Sequence, residues 1–230
     1  MCGKKHSPFF SVIMPSFLGK YKHAASNRDT KIIRAVQSVL NQTFQDFEIV
    51  IIADGCDKTI EIIQINFREA MRDEKIRMFK ISDKRNFGQK RNAGASGVPR
   101  NAGLQQAKGE YAIYLDIDDM YIKTYLHKLK DEMADLLQWY WFDCLSWDKH
   151  TEKFNRLICD INVQGRCGTA NICHRISMNS WWVQKGTYLH DWMFISKLKA
   201  ISQEYRKLNV AGFGVCHVPN MLDYDGQGEK

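Results

Sequence analysis

The sequence has no long apolar run. None of the apolar stretches in its 230 residues reaches the roughly 18 positions that a helix needs to cross a bilayer. The first residues, Met1 to His6, also lack the apolar core of a secretory signal peptide. We therefore expect no transmembrane helix and a cytoplasmic location, and peripheral association with the cytoplasmic membrane face stays open.

Closely spaced cysteine pairs are missing as well. The seven cysteines are an odd number, are scattered along the chain, and include no Cys-x-x-Cys motif. This distribution indicates reduced thiols rather than a disulfide framework. The spacing of Cys167, Cys173 and His174 matches no common zinc site, so a structural zinc is disfavoured.

Two further absences narrow the choice of ligand. The chain carries 33 basic and 26 acidic residues, a net charge of +7, but it has no arginine-rich tail. Dispersed positive charge suits a nucleotide diphosphate or an acidic membrane surface and disfavours nucleic acid. No Gly-x-Gly-x-x-Gly follows the first predicted strand, which disfavours a dinucleotide-binding enzyme.

What the sequence does contain is an alternation of strand and helix patterns. The predicted strands of the first half are 9–14, 48–53, 76–81 and 111–115. The predicted helices between them are 32–40, 59–71 and 101–108, with a polar loop at 83–99. The order β-α-β-α-β-α-β predicts a doubly wound α/β fold with a mostly parallel central sheet flanked by helices.

The second half has a mixed pattern. Its predicted elements are a helix at 125–137, an aromatic strand region at 139–147, a strand at 171–175 and a helix at 192–198. We interpret this half as a mixed lobe that completes a cleft, not as a separate domain.

Polar side chains follow three strands of the predicted sheet. They are Ser16, Asp54 and the group Asp116, Asp118 and Asp119. The carboxyl ends of parallel strands share one edge, where open α/β sheets bind ligands. Unpaired buried carboxylates are costly, so we expect them to face a polar cleft, where they suit Mg²⁺ or Mn²⁺ with substrate phosphates. The alternative is that Asp118 and Asp119 cap a helix beginning near Tyr121.

Several stretches together resemble the family-2 glycosyltransferases, which have the nucleotide-sugar-binding GT-A fold. The similar stretches are 10–17, 35–49, 52–57, 100–103 and 109–119, and the stretch at 35–49 is the most specific. The resemblance is strong over about residues 9–120 and thinner beyond. The chain departs from the family at Ala53, Cys56 and His190, where the family has aspartate, serine and glutamate.

The resemblance implies one GT-A domain over residues 1–230, with a nucleotide-sugar-binding half at 9–119 and an acceptor-side half at 120–230. It implies a metal-dependent, inverting transfer of a sugar from a nucleotide diphosphate sugar, UDP-sugar favoured, to a glycan or lipid-linked acceptor. Two alternatives remain: a catalytically silent nucleotide- or glycan-binding module on the same fold, and a sugar nucleotidyltransferase. The oligomeric state is not indicated.

The same resemblance assigns roles on the donor side. The residues expected to bind the nucleotide sugar are Pro15, Ser16, Phe17, Asp54, Arg100 and Asp116. Asp118 and the late His217 are expected to hold Mn²⁺ or Mg²⁺. The alternatives are a turn-forming Asp54, a solvated Arg100 and a structural His217, and Asp119 either assists the metal or caps a helix.

On the acceptor side, the resemblance makes Asp191 the base that deprotonates the acceptor hydroxyl. His190 beside it could tune or replace it, because histidine titrates near neutrality. Trp181 and Trp182 are expected to stack on the acceptor sugar. The alternatives are an N-cap role for Asp191 and core packing for the two tryptophans.

Overall fold

Nine strands form one mixed sheet in the part of the chain that the computed structural model describes, residues 6–19, 27–81, 96–148, 150–183 and 189–216. The strands are β1 Phe10–Ser16, β2 Phe47–Asp54, β3 Ile76–Ile81, β4 Tyr111–Tyr114, β5 Met120–Tyr121, β6 Trp139–Asp148, β7 Lys153–Leu157, β8 Ile172–Arg175 and β9 Tyr205–Val215. Their order in the sheet is β3-β2-β1-β4-β8-β6-β9-β5, and β7 pairs with β6.

Six α-helices lie between these strands in the described residues. They are α1 Arg28–Leu40, α2 Asp57–Asn66, α3 Arg68–Arg72, α4 Gly97–Gln106, α5 Tyr125–Glu132 and α6 His190–Ile201. Two short 3₁₀ turns, Thr169–Asn171 and Ile176–Met178, flank β8. None of the helices in the described ranges is long and apolar enough to span a membrane.

The first four strands, β3-β2-β1-β4, are all parallel. Every residue of β2 is buried, as expected for a parallel strand covered on both faces. Helix α4 packs so closely on β1 that a Cβ on Gly103 would lie 2.4 Å from Cγ2 of Ile13. Only glycine fits this approach, so a helix glycine here brings α4 against the sheet. The predicted parallel half of the sheet is confirmed.

The second half of the chain extends the same sheet. Strand β8 is antiparallel to both β4 and β6, β9 runs parallel to β6, and β5 is antiparallel to β9. One continuous hydrophobic core covers both halves, with Ile13 and Ile113 in the parallel part and Trp139 and Phe194 in the mixed part. The predicted mixed pairing of the second half is therefore present within a single sheet.

Several predicted element boundaries are wrong. The helix expected at 59–71 is two helices, because Phe67 adopts a non-helical φ of −132° and its side chain is buried in the core. Helix α4 begins at Gly97, inside the predicted loop 83–99, of which residues 83–95 lie outside the described residues. Pro99 is tolerated there because the first turn of a helix leaves its N–H groups without helical partners.

After the carboxylates, the predicted start of the helix at Tyr125 is confirmed, but its predicted end is wrong and a strand precedes it. Residues Met120–Tyr121 form strand β5, and the following helix begins only at Tyr125. That helix ends at Glu132 instead of continuing to Leu137, and Leu136 has a positive φ of 49° that no helix contains. Strands β7 and β9 were not predicted at all.

Candidate active site

The ends of β1, β2 and β4 lie side by side at one edge of the sheet. Ser16 pairs with Ala53, which puts Asp54 one position beyond the pair, and Ile13 pairs with Tyr114, two residues before Asp116. Neighbouring strands are about 4.8 Å apart, so Ser16 on the middle strand lies about one strand spacing from Asp54 and from Asp116, and the two carboxylates lie about two spacings apart. The structure thus brings Ser16, Asp54 and Asp116 together, as the sequence predicts.

The loop after β1 is held by hydrogen bonds to two helices. The Ser16 hydroxyl lies 2.8 Å from the Thr59 hydroxyl of α2, and both are buried. Nη1 of Arg28 in α1 donates to the carbonyl of Phe17 at 2.8 Å. Pro15 and Phe17 are partly exposed at the same edge. The first strand therefore ends in a fixed polar loop.

Asp54 is buried at the end of β2. It precedes Gly55, whose φ of 64° is in the left-handed region, and the Gly55 N–H donates to the carbonyls of Ala53 and Ile81. The turn that was the alternative explanation for Asp54 is therefore present, formed by the backbone around Gly55. The turn does not by itself require the Asp54 side chain to be buried at the carboxyl edge of the sheet, so its burial there needs a further explanation.

Arg100 is not a solvated loop charge; that alternative is wrong. Its side chain is 2% exposed, and Nη2 donates to Oδ1 of Asp116 at 2.8 Å. The guanidinium also bonds the Ser96 hydroxyl and lies 5.1 Å above the Trp182 ring. Asp116 is 37% exposed, so the buried arginine fixes one oxygen of a carboxylate that still faces solvent.

The helix-cap explanation for Asp118 and Asp119 is wrong, because the next helix, α5, begins only at Tyr125 and its N-cap is Thr124. Asp119 is 1% exposed, and its Oδ1 accepts the backbone N–H of Cys216 at 2.8 Å. Asp118 is partly exposed, and its carbonyl oxygen accepts Nη2 of Arg34 at 2.6 Å. Asp119 therefore joins the end of β9 to this loop, while Asp118 and Asp116 keep partial access to solvent.

These carboxylates can be tested as metal ligands by their chemistry. Within the described ranges, no three His, Cys, Asp or Glu side chains are close enough together to hold a metal by themselves. Mn²⁺ and Mg²⁺ often bind through one or two carboxylates plus substrate phosphates, so the pair Asp116 and Asp118 fits a cation bound together with a diphosphate. His217 lies outside the described residues.

On the acceptor side, Asp191 is the second residue of α6, and the N-cap is Leu189. The N-cap explanation for Asp191 is therefore wrong. Its Oδ1 accepts a hydrogen bond from the Thr169 hydroxyl, and Nε2 of His190 lies 3.2 Å from the same oxygen. Asp191 is 25% exposed and His190 is more buried. Thr169 was not predicted, and no local motif could reveal it, because the contact depends on the tertiary fold.

The two tryptophans differ in their surroundings. Trp182 is 2% exposed, stacks on Phe194 with centroids 3.7 Å apart, and meets the Tyr114 ring edge-on at 5.1 Å. The Asn101 side chain bonds both the N–H and the carbonyl of Trp182. Trp182 is therefore packed in the core, which was the alternative to sugar stacking. Trp181 is partly exposed and remains open to a ligand.

A buried polar pair lies beside this tryptophan. Nε2 of His174 is 2.7 Å from the Tyr114 hydroxyl, and Nδ1 is 3.0 Å from the carbonyl of Arg175. Because a carbonyl only accepts, Nδ1 carries the proton and Nε2 accepts from Tyr114. Burial lowers the pKa of His174 to about 4 and raises the pKa of Tyr114. Both groups are neutral near pH 7, and His174 has no free nitrogen for a metal.

Trp182 connects the two sides of the site. The Arg100 guanidinium that holds Asp116 lies over its ring, and the ring of His190, next to Asp191, is 6.2 Å away. Asp116 and Asp191 thus belong to chains of contacts that meet at one buried indole.

The chain was compared with known proteins. The family model described as "Glycosyl transferase family 2" matches residues 11–197. Poly(ribitol-phosphate) beta-N-acetylglucosaminyltransferase TarP of Staphylococcus aureus is 32% identical over 135 residues, which are 55% of this chain and 35% of TarP. The chain thus spans about a third of that relative's length.

Two solved structures share the fold. Residues 1–349 of Staphylococcus aureus TarS, solved in complex with UDP, superpose with a TM-score of 0.66 at 18% identity, covering 90% of this chain and 60% of that TarS chain. The mannosyltransferase PcManGT of Pyrobaculum calidifontis, in complex with GDP-Man and Mn²⁺, gives a TM-score of 0.58 at 12% identity, covering 90% and 55%. The predicted GT-A fold is confirmed.

Proposed function

Because the chain belongs to glycosyl transferase family 2, we propose that it transfers a sugar from a UDP-sugar, with inversion, to a hydroxyl group of a glycan or lipid-linked acceptor. The observation that supports this most directly is that Trp182 lies between Arg100, which holds Asp116, and His190, which lies beside Asp191. One set of groups can hold a nucleotide diphosphate, and the other can remove a proton from an acceptor.

The donor is proposed to bind at the edge formed by β1, β2 and β4. An oxygen of Asp54 accepts the imide N–H that uracil presents, and Asp116 binds the ribose. Pro15, Ser16 and Phe17 line the loop that would contact the nucleotide. TarS, which has the same fold, was solved with UDP, whereas PcManGT was solved with GDP-Man. A guanosine donor is therefore the competing outcome.

A divalent cation, Mn²⁺ or Mg²⁺, is proposed to be held by Asp118, with Asp116 contributing directly or through water. When bound, it neutralises the charge that develops on the leaving diphosphate. Arg100 keeps Asp116 oriented through the 2.8 Å bond described above. His217 is proposed as a further ligand, since it directly follows Cys216, whose N–H is bound to Asp119.

Asp191 is proposed to be the general base. It takes the proton of the acceptor hydroxyl while the hydroxyl oxygen attacks the sugar carbon opposite the diphosphate and the bond to the leaving phosphate oxygen breaks. Asp191 keeps partial solvent access, as an acceptor-binding group requires. His190, beside it, is the alternative base. Partly exposed Trp181 is proposed to contact the acceptor sugar.

For the acceptor, the named function of TarP points to a polyol-phosphate polymer, and a net charge of +7 suits an anionic chain. A lipid-linked acceptor would add peripheral association with the cytoplasmic membrane face. We propose one domain for residues 1–230, with donor and acceptor halves at 9–119 and 120–230, and no role in nucleic-acid binding.

The decisive experiment is a donor screen. The purified chain is mixed with UDP-GlcNAc, UDP-glucose, UDP-galactose or GDP-mannose, with Mn²⁺ or with EDTA. Thermal stabilisation and release of the nucleoside diphosphate are then measured. We expect a UDP-sugar to stabilise the protein and to release UDP only with the metal. Stabilisation by GDP-mannose but by no UDP-sugar would contradict the proposal that the donor nucleotide is a uridine nucleotide.

The same screen separates the alternatives. Stabilisation without any release of UDP, even with poly(ribitol phosphate) added, would favour a silent binding module. A nucleotidyltransferase would instead release pyrophosphate from a nucleoside triphosphate and a sugar phosphate.

A further inference from the structure

Two independent elements meet at Asp191. One is helix α6, which carries Asp191 in its first turn, and the other is the 3₁₀ turn Thr169–Asn171, which precedes β8. The contact between them is the hydrogen bond from the Thr169 hydroxyl to Oδ1 of Asp191. Thr169 is buried, so its hydroxyl cannot bond bulk water instead.

The 3₁₀ turn is held in place by hydrogen bonds that do not involve Asp191. Nδ2 of Asn171 donates to the Phe142 carbonyl of β6 at 3.0 Å, and its Oδ1 accepts the Gly168 N–H at 3.1 Å. Asn171 is itself buried. The turn is therefore attached to the central sheet by a side chain two residues from Thr169, so the position of the Thr169 hydroxyl is set by the sheet.

Helix α6 is fixed by different groups. Nζ of Lys199 donates to the Ile161 carbonyl at 2.9 Å and to Oδ1 of Asn162 at 2.8 Å. Phe194 stacks on Trp182, which in turn is bonded through its backbone to Asn101. The carboxylate and the hydroxyl thus reach each other from two separately held elements, so the bond does not have to order either one.

We infer that Thr169 is a positioning residue for the proposed base. Its hydroxyl holds Oδ1 of Asp191, where His190 also lies, and this orients Oδ2 toward the acceptor hydroxyl whose proton it takes. The inference rests on the proposed role of Asp191. Hydrogen bonds to a charged group are stronger than neutral ones, and a base held in one rotamer loses less freedom in the transition state.

The test uses Thr169→Val, which has nearly the same shape without a hydroxyl, and Thr169→Ser, which keeps the hydroxyl. Thr43→Val, an exposed position, is the matched control. The measurements are UDP release from UDP-GlcNAc with Mn²⁺, thermal stabilisation by UDP, and the melting temperature. Each substitution is also made in the Asp191→Asn background.

We expect Thr169→Val to lower kcat about tenfold, the scale of one hydrogen bond to a charged group, with KM for the donor and stabilisation by UDP within about twofold of wild type. Thr169→Ser should recover most of the rate. In the Asp191→Asn background Thr169→Val should cause no further loss, because the two residues act as one unit. If Thr169→Val does not fold, Thr169→Ala carries the same expectation.

A readout without substrate tests the contact whichever donor the protein uses. In protein labelled at threonine, the NMR signal of the Thr169 methyl group should move as acid protonates the Asp191 carboxylate, and should stay fixed in Asp191→Asn. Wild-type kcat in Thr169→Val, an equal loss in the Asp191→Asn background, or a methyl signal indifferent to Asp191 would overturn the inference. Full activity of Asp191→Asn would instead refute the proposed base itself.

Discussion

On the proposed donor side of the site, Asp54 ends β2 and Asp116 lies two residues beyond β4 in a continuous parallel sheet, whereas on the proposed acceptor side Asp191 is held by a threonine hydroxyl from a 3₁₀ turn. The donor groups take their places from the hydrogen-bonded backbone of the sheet, and the buried Arg100 side chain also orients Asp116. The acceptor groups take theirs from side-chain contacts between short segments. Substitutions on the donor side should therefore reduce ligand binding, while those on the acceptor side should reduce the rate with little effect on binding.

The largest effect is expected for Asp118→Asn. Removing a charged metal ligand should lower kcat by at least about a hundredfold at limiting Mn²⁺ and weaken the metal-dependent binding of UDP. Turnover is measured by UDP release, and binding by titration calorimetry of UDP with Mn²⁺. Asp131→Asn, an exposed aspartate on α5, should be indistinguishable from wild type. Normal turnover of Asp118→Asn at limiting Mn²⁺ would remove Asp118 from the donor side.

Asp191→Asn is the variant that best distinguishes an effect on the rate from an effect on donor binding. Loss of a general base lowers rates by roughly a hundredfold or more, so kcat should fall on that scale while UDP and Mn²⁺ affinities stay unchanged. His190→Gln is assayed in parallel, because its ring lies 3.2 Å from Asp191. If Asp191→Asn turns over normally and His190→Gln is inactive, the histidine is the base. Activity in both variants would contradict the mechanism at its central step.

Arg100→Met removes the guanidinium that links the Asp116 carboxylate to the Trp182 indole. It removes the 2.8 Å bond to Asp116, so we expect kcat/KM to fall about tenfold, the scale of one charged hydrogen bond. Arg77→Met is the matched control. Arg77 makes a similar 2.8 Å pair with Glu48, near the amino ends of β3 and β2 and away from their carboxyl ends. Both variants should lower the melting temperature, and only Arg100→Met should change kcat/KM.

The smallest expected effect is a change in stability with pH that arises from His174, which is buried in the core. Its pKa is lowered to about 4, from an ordinary value near 6.5, so between these pH values only the unfolded chain binds the proton. The free energy of unfolding should thus decrease as pH falls from about 6.5 toward 4, by up to ~1.4 kcal/mol per pH unit.

Urea unfolding at pH 7 and pH 5 measures this slope. His174→Asn should remove it, although the variant is less stable at pH 7, and His127→Gln on the exposed face of α5 should leave the slope unchanged. An unchanged slope in His174→Asn would show that another group is responsible.

The donor edge could be predicted because its signals are local. Apolar runs that end in Ser16, Asp54 and Asp116 indicate strand ends, and the order of elements makes the strands parallel. The Asp191 environment could not be predicted in this way. Its partner Thr169 is 22 residues away and lies beside it only after β8 and α6 have packed.

Strand β9 was missed for a different reason. Gly212 and Gly214 make its sequence look like a turn, but both are required by packing. A Cβ on Gly212 would lie 2.5 Å from the Tyr125 ring, and one on Gly214 would lie 3.0 Å from the Phe154 ring. The glycines therefore admit aromatic side chains against the strand. No local pattern distinguishes that use from a loop.

The bond from Cys216 to Asp119 joins residues 97 positions apart, and it has a consequence for synthesis on the ribosome. The strands that carry Ser16, Asp54 and Asp116 can pair while the chain is still emerging. The Asp119 carboxylate can accept the Cys216 N–H only after β9 has been made and has docked beside β5. The loop that carries Asp118 is therefore completed only after β9 docks, so a nascent chain can have its parallel strands before this loop is complete.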